Sequence, residues 1–151
     1  MGEFILENES ILSFVTTFTD RFYAFMICKS KSYTEFIVET EPRSIGKTST
    51  GRQMVEGKVN FAGQFIKKSD EVWNFKAVET EFNHKLHGFD WVDDLAALGS
   101  LEARWLAQDW LYSWIEKYSS GLGPGWTPEL TGKRLVRWAH HYLFLTQGCS
   151  E

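Results

Sequence analysis

Seven tryptophans in 151 residues, all falling from Trp73 to Trp138, constrain this chain more than any other feature. An indole carries a large apolar body and one N–H that needs an acceptor. A stretch this rich in indole must be packed on several sides, present a flat stacking surface, or do both. Most tryptophans at helical spacing belong to a core. Flat aromatic faces also stack against the C–H faces of pyranose rings, so a sugar-facing surface is the functional counterpart of the same pattern.

The pattern around these tryptophans is helical from Val78 onward. Asp90 is placed to cap a helix, with Asp93 and Asp94 in its first turns, where negative charge suits the helix dipole. Gly99 is a natural stop and Ser100 a natural cap for the next helix. That helix, Leu101 to Tyr118, is apolar nearly all round (Leu101, Trp105, Leu106, Trp110, Leu111, Trp114, Ile115, Tyr118), which predicts packing on more than one face. The short link between the two helices predicts an antiparallel pair. Ser119 to Thr127 reads as a loop, and Thr127-Pro128 as a cap followed by proline at the first helical position. A last helix is expected from about Thr131 to Thr146, stopping at Gly148.

Before Val78 the signals are weaker. The stripe Ile11, Val15, Phe18, Phe22, Phe25 predicts an amphipathic helix within residues 1–32. Tyr33 to Val38 is β-prone, and Pro42 ends regular structure. Ser44 to Gly57 holds three glycines and reads as loop with a single helical turn. Asn60 to Ile66 reads as one short strand, with Glu71 to Phe75 as its partner. The expected organisation is a single domain: an amphipathic helix over 1–32, a loop and short-strand segment over 33–77, and helices over 78–151. The fold class is mainly α, built from antiparallel helical hairpins with a short β-containing segment near the N-terminus.

Several functions are disfavoured by composition. A formal net charge of −4 leaves no basic footprint for nucleic acid. Cys28 and Cys149 match no zinc or redox spacing. Asp20 and Arg21 interrupt the apolar run near residue 20, so no stable membrane insertion is expected. The acidic start (Glu3, Glu7, Glu9) is unlike a secretory signal, so a cytoplasmic location is expected, with the periplasm left open. Ser44-Ile-Gly-Lys-Thr48 is not a phosphate loop, because Glu41-Pro42 stands where the pattern needs a glycine. His84 with His87, and His140 with His141, lack the further ligands a metal needs. No cofactor is expected, and Asp93-Asp94 cannot face each other across a substrate.

One helix face stands out. Arg134, Arg137, His141 and Phe144 share it, while Leu135, Trp138, Tyr142 and Leu145 continue the apolar stripe. A cationic, aromatic face suits a carboxylate ligand such as an acidic sugar. The alternative is an ordinary solvated face.

Five segments, taken in order, go further: Glu41-Pro-Arg-Ser-Ile-Gly46, Gly51-Arg-Gln-Met54, Phe61-Ala-Gly63, Leu86-His-Gly-Phe-Asp-Trp-Val-Asp-Asp-Leu95 and Gly123-Pro-Gly-Trp-Thr-Pro-Glu-Leu-Thr-Gly-Lys-Arg-Leu-Val-Arg-Trp138. Together they resemble the N-terminal part of bacterial heparinase II/III family proteins, over roughly Glu41 to Gly148. The resemblance implies part of an incomplete α/α toroid, which in that family precedes a large β-sandwich domain. It implies lyase chemistry on acidic, uronate-containing polysaccharides by β-elimination, in which the uronate carboxylate is neutralised and a Tyr or His base removes the adjacent proton. The family's Asn, Tyr and His for those steps lie C-terminal to the matched region, so no residue here is expected to be catalytic. The expectation is an N-terminal fragment of such a lyase, inactive alone. Trp126, Arg134, Arg137, Trp138 and His141 are its candidate substrate-binding residues. The alternative is a non-catalytic glycan-binding or scaffold module. Without neighbouring helices, Trp105, Trp110 or Trp114 is expected to leave apolar surface exposed and favour self-association.

Overall fold

The computed structural model describes residues 45–67, 72–75 and 80–148, all within one compact unit of the chain. The amphipathic helix expected over 1–32, the β-prone Tyr33–Val38 and Pro42 lie outside the described residues, as do Cys28 and Cys149.

The fold is mainly helical with one small hairpin. Helix α1 spans Thr48–Val55, strands β1 and β2 span Lys58–Phe61 and Gln64–Lys67, and a 3-10 turn covers Val72–Asn74. Then follow α2 (Thr80–His87), α3 (Asp90–Leu98), α4 (Leu101–Tyr118), α5 (Pro128–His140) and α6 (Tyr142–Thr146).

Helix α1 replaces the expected loop. Its glycine is not a breaker but a contact point: Gly51 is buried within the helix. A Cβ at Gly46 would overlap the Asp93 carbonyl, and one at Gly51 the Asp94 carbonyl. The missing side chains let α1 lie directly on α3. Asp94 then caps the start of α1 by accepting the Lys47 backbone N–H at 2.6 Å. The Thr48 hydroxyl donates to the Ala97 carbonyl at 3.4 Å. An aspartate therefore occupies the head of the Gly46-Lys47-Thr48 segment, where a nucleotide loop would need to receive phosphate.

The expected single strand over Asn60–Ile66 is two strands. Ala62 and Gly63 both adopt positive φ, 51° and 80°, the geometry of a tight hairpin turn. The strands pair antiparallel, with Val59 opposite Ile66 and Phe61 opposite Gln64. That register puts Val59, Phe61 and Ile66 into the core and leaves Phe65 exposed. The expected partner strand is instead the 3-10 turn that buries Val72 and Trp73.

The helix ends follow their local signals, with two exceptions. Ser100 Oγ accepts the Ala103 N–H at 3.2 Å, and Gly99 is left-handed with φ 64°. Thr127 Oγ1 accepts the Leu130 N–H at 3.2 Å, ahead of Pro128. The residue capping α3, however, is Phe89 rather than Asp90, and it too is left-handed, φ 64°. A bulky residue tolerates that conformation only when its surroundings hold it there. Phe89 is wholly buried among Trp73, Trp91, Trp114 and Trp138, with ring centroids 4.8–6.0 Å away. The second exception is the final helix. It starts earlier, at Pro128, and breaks at His141, whose backbone leaves the helical region where its ring is bonded to Asp93.

Helix α4 turns Ala103, Ala107, Trp110, Trp114 and Tyr118 into the core. Its opposite side is open: Leu101, Trp105, Tyr112 and Ile115 are exposed. Leu106 and Leu111 also pack against the core from its flanks, so the helix is packed on more than one face, as its pattern predicts. Trp105 lies about 140° around the helix from Trp110, so the layer that seals one cannot cover the other. Of the three tryptophans expected to expose apolar surface, Trp105 does so at 59%, while Trp110 and Trp114 are buried.

Two glycine substitutions test this geometry. Replacing a helical glycine by alanine ordinarily stabilises by about 0.5–1 kcal/mol. Gly132→Ala, with nothing within 4 Å of the new Cβ, should show that gain in urea unfolding. Gly51→Ala should instead lose about 1–3 kcal/mol, because overlap with α3 outweighs the propensity gain.

Candidate functional site

The inner face of α5 carries Leu130, Arg134, Arg137 and His141, spaced so that each falls over the α2–α3 connection or the loop that precedes α5. Arg134 is 2% exposed. Its guanidinium lies 4.2 Å from the ring centroid of Trp114, 5.0 Å from Trp126 and 5.7 Å from Trp138. It donates to the carbonyls of Gly125 (2.9 Å) and His87 (3.3 Å) and to Thr131 Oγ1 (3.4 Å). A guanidinium is flat and weakly hydrated, so stacking on indoles and fixed carbonyl acceptors can replace its water. Burial lowers its pKa to about 10, which still leaves it cationic at neutral pH.

His87 is the neighbouring surprise. Its Nδ1 accepts the Trp114 Nε1–H at 3.1 Å, so the proton of the neutral ring sits on Nε2. Tyr118 meets the ring edge-on at 5.3 Å, and Trp73 lies at 5.6 Å. A Cβ at Gly125 would come within 2.9 Å of Nδ1, so only glycine lets the loop close over the imidazole. Burial, then the Arg134 and Lys117 cations, pull its pKa from 6.5 to about 4. His84, one turn earlier, is half-exposed and 4.0 Å from Glu129. The two histidines therefore do not converge on a shared ligand. Among the described residues no group of His, Cys, Asp and Glu is arranged to hold a metal ion.

A second cluster completes the face. Asp93 accepts from His141 Nε2 at 2.7 Å and from Arg137 Nε at 3.2 Å. Arg137 also pairs with Asp90 at 3.0 Å and donates to the Gly88 carbonyl at 3.1 Å. Burial raises the pKa of Asp90, an effect that Arg137 opposes. Two carboxylates from α3 thus meet Arg137 of α5 and the ring of His141 just after it, in a network closed within the protein.

All five candidate binding residues are gathered in this region, but most face inward. Arg134 and His141 are buried, and Arg137 is engaged by two aspartates. Trp138 is half-buried, and its Nε1 is buried without a partner. Trp126 is 39% exposed, with its N–H donated to the Tyr118 carbonyl at 2.8 Å. The face read as open to a carboxylate ligand, or as solvated, instead binds α5 to α2 and α3. The sequence reading missed His87, Asp90 and Asp93 as its counterparts. Their signal was present in the acidic first turn of α3, which matches in charge the basic stripe of α5.

Two measurements probe this packing. Between pH 6.5 and about 4 the unfolded chain binds a proton at His87 that the folded chain refuses. Stability from the neutral core ring is complete above 6.5 and is lost as pH falls toward about 4. The loss should be on the order of 2–3 kcal/mol. Asp90 and Asp94, raised by burial, act in the opposite sense at acid pH. The difference between wild type and His87→Phe in denaturant titrations isolates the ring, and the variant should show the shallower acid slope. Arg134→Met keeps the apolar stem but strips two buried carbonyls of their donor. It should lower unfolding stability by about 2–4 kcal/mol, and a loss below about 0.5 kcal/mol would show a surface-like side chain.

Comparison with family models, with curated proteins and with solved structures finds no match to this chain.

Proposed function

We propose that these helices are the opening hairpins of a heparinase II/III-like toroid. They would form a framework part of machinery that cleaves acidic, uronate-containing polysaccharides by β-elimination, and carry no bond-breaking group of their own. The observation that carries this reading is where the resembling segments meet. Gly46 and Gly51 rest on Asp93 and Asp94. Gly125 closes on His87, and Arg134 bonds the carbonyls of both. Arg137 bonds Gly88, Asp90 and Asp93. Three regions far apart in sequence, around Gly46 to Gly51, Leu86 to Leu95 and Gly123 to Trp138, interlock through residues whose size or charge the contact demands. A resemblance concentrated on such residues is a resemblance of framework. The short α3–α4 connection fits the same reading.

The inward turn of Arg134, Arg137 and His141 favours the scaffold form of the alternative over a glycan-binding one. On this face Trp126 is the one candidate binding residue with substantial open surface. Acidic sugar contact through it would be stacking, without the charge pairing that gives uronate recognition its strength.

The test is incubation of the purified chain with heparin and alginate, following the ultraviolet absorbance of an unsaturated uronate. The trace should stay flat, and a sustained rise would overturn the framework reading. The gene offers a second check. DNA adjoining the codon for Glu151 should encode, in phase or in a shifted frame, helical sequence bearing Asn, Tyr and His. Adjoining DNA that encodes nothing of the kind counts against the lyase parentage.

A further inference from the structure

The connection between α4 and α5 lies on two rings. Gly123 passes over Tyr118, where a Cβ would come within 2.7 Å of the ring. Gly125 passes over His87, where a Cβ would come within 2.9 Å of Nδ1. The two rings meet edge-on at 5.3 Å. The Gly125 carbonyl accepts from Arg134 at 2.9 Å, and the Trp126 indole N–H reaches the Tyr118 carbonyl at 2.8 Å. The Trp126 ring rests 5.6 Å from that of Trp114. These contacts hold the connection down over the imidazole.

The covered ring suits one protonation state. His87 Nδ1 takes the Trp114 N–H at 3.1 Å. A proton added there would set two N–H donors against each other and leave the indole donor unpaired in the interior. It would also place a cation among cations. Arg134 of α5 bonds the His87 carbonyl, and Lys117 of α4 also disfavours charge on the ring. The phenol of Tyr118 stays neutral, because burial raises its pKa. The 3-10 turn presents Trp73 to the ring, and residues 119–127 carry no ionisable side chain. The carboxylates of α3, Asp90 and Asp93, are turned to Arg137 and His141. On α2 itself, His84 faces Glu129 and Lys85 pairs with Glu81.

Relief has two routes of unequal cost. Trp114 belongs to an 18-residue helix that turns five residues into the core, so moving it dismantles the core. The connection gives way by releasing Arg134 and Tyr118. We propose that Ser119 to Thr127 is an acid-released cover, which lifts when His87 is protonated, admits water to the ring and frees Arg134 from the Gly125 carbonyl. This goes beyond the lyase reading and does not depend on it. The covered ring refuses a proton that the uncovered ring accepts. Opening is therefore rarest above pH 6.5 and grows as pH falls toward about 4. Each pH unit in that window should raise the open fraction by up to about tenfold.

Nuclear magnetic resonance of the full chain tests this through proton exchange at the indoles, corrected for the intrinsic rate at each pH. The Trp126 indole N–H reports the cover. That of Trp91, bonded to the Leu86 carbonyl in the core, reports global unfolding. Protection at Trp126 should fall as pH is lowered from 6.5 toward about 4 and should respond little to dilute urea, since a small opening exposes little surface. Trp91 should remain at least about tenfold better protected and respond to urea. His87→Asn offers an oxygen near the place of Nδ1 but takes no proton, and should abolish the pH dependence at Trp126. Gly125→Ala presses a methyl group on the ring. It should open the cover at neutral pH and move the His87 titration midpoint upward from about 4 toward 6.5. Trp126 and Trp91 losing protection together, with one urea response, would overturn the proposal by making the event global unfolding. Protection at Trp126 that ignores pH, or a pH dependence that survives His87→Asn, would overturn it too. So would a Gly125→Ala chain whose His87 still titrates at about 4.

Discussion

A guanidinium enclosed by indoles is an expensive thing to bury, and Arg134 shows what makes it tolerable. Each element around it has to supply something. Trp114 comes from α4, Trp126 from the loop, and Trp138 from α5 itself. The loop and the end of α2 each turn a carbonyl toward it. Loss of any of these leaves a cation in an apolar interior, a cost of several kcal/mol. The arrangement therefore couples α2, α4, α5 and the intervening loop more tightly than apolar contact alone, because hydrophobic packing has no direction while these bonds do.

The other joints obey the same logic of close approach and directional contact. Glycine at 46, 51 and 125 brings backbone against backbone or against a ring, where any Cβ would intrude. Once the backbones are close, polar groups reach each other: Lys47 N–H to Asp94, Trp114 N–H to His87, Arg137 to Asp90 and Asp93. Phe89 accepts a left-handed backbone at the centre of the aromatic cluster, a strain on the order of 1–3 kcal/mol that its surrounding rings offset. Tryptophan suits such a core because its N–H can be satisfied while its body packs. Trp73, Trp91, Trp114 and Trp126 each donate to an acceptor within the protein.

Function follows from which side of each helix remains free. Arg137 of α5, which looked available to an acidic sugar, pairs with Asp90 and Asp93 at the start of α3, and Arg134 is spent on backbone carbonyls. On α4 the side away from the core leaves Leu101, Trp105 and Ile115 exposed. None of the described helices is long and apolar enough to cross a membrane.

Local rules carried much of the secondary structure. Ser100, Gly99 and Thr127-Pro128 marked helix ends that need only neighbouring residues to form, and Leu101–Tyr118 is bounded where its pattern said. The hairpin turn at Ala62-Gly63 was missed, because it lay inside what read as one short strand. Residue order alone also placed most of the tryptophans on helices and a basic stripe on α5. Tertiary structure decided the direction of that stripe. A helix pattern shows which residues share a side but not what the side meets. Arg134 and Arg137 turned inward because Asp90, Asp93 and the carbonyls of His87 and Gly88 were waiting there, brought from more than forty positions away. Gly51 likewise read as a helix breaker until α3 lay across it, since a glycine's value in a close crossing exists only once the second helix is in place.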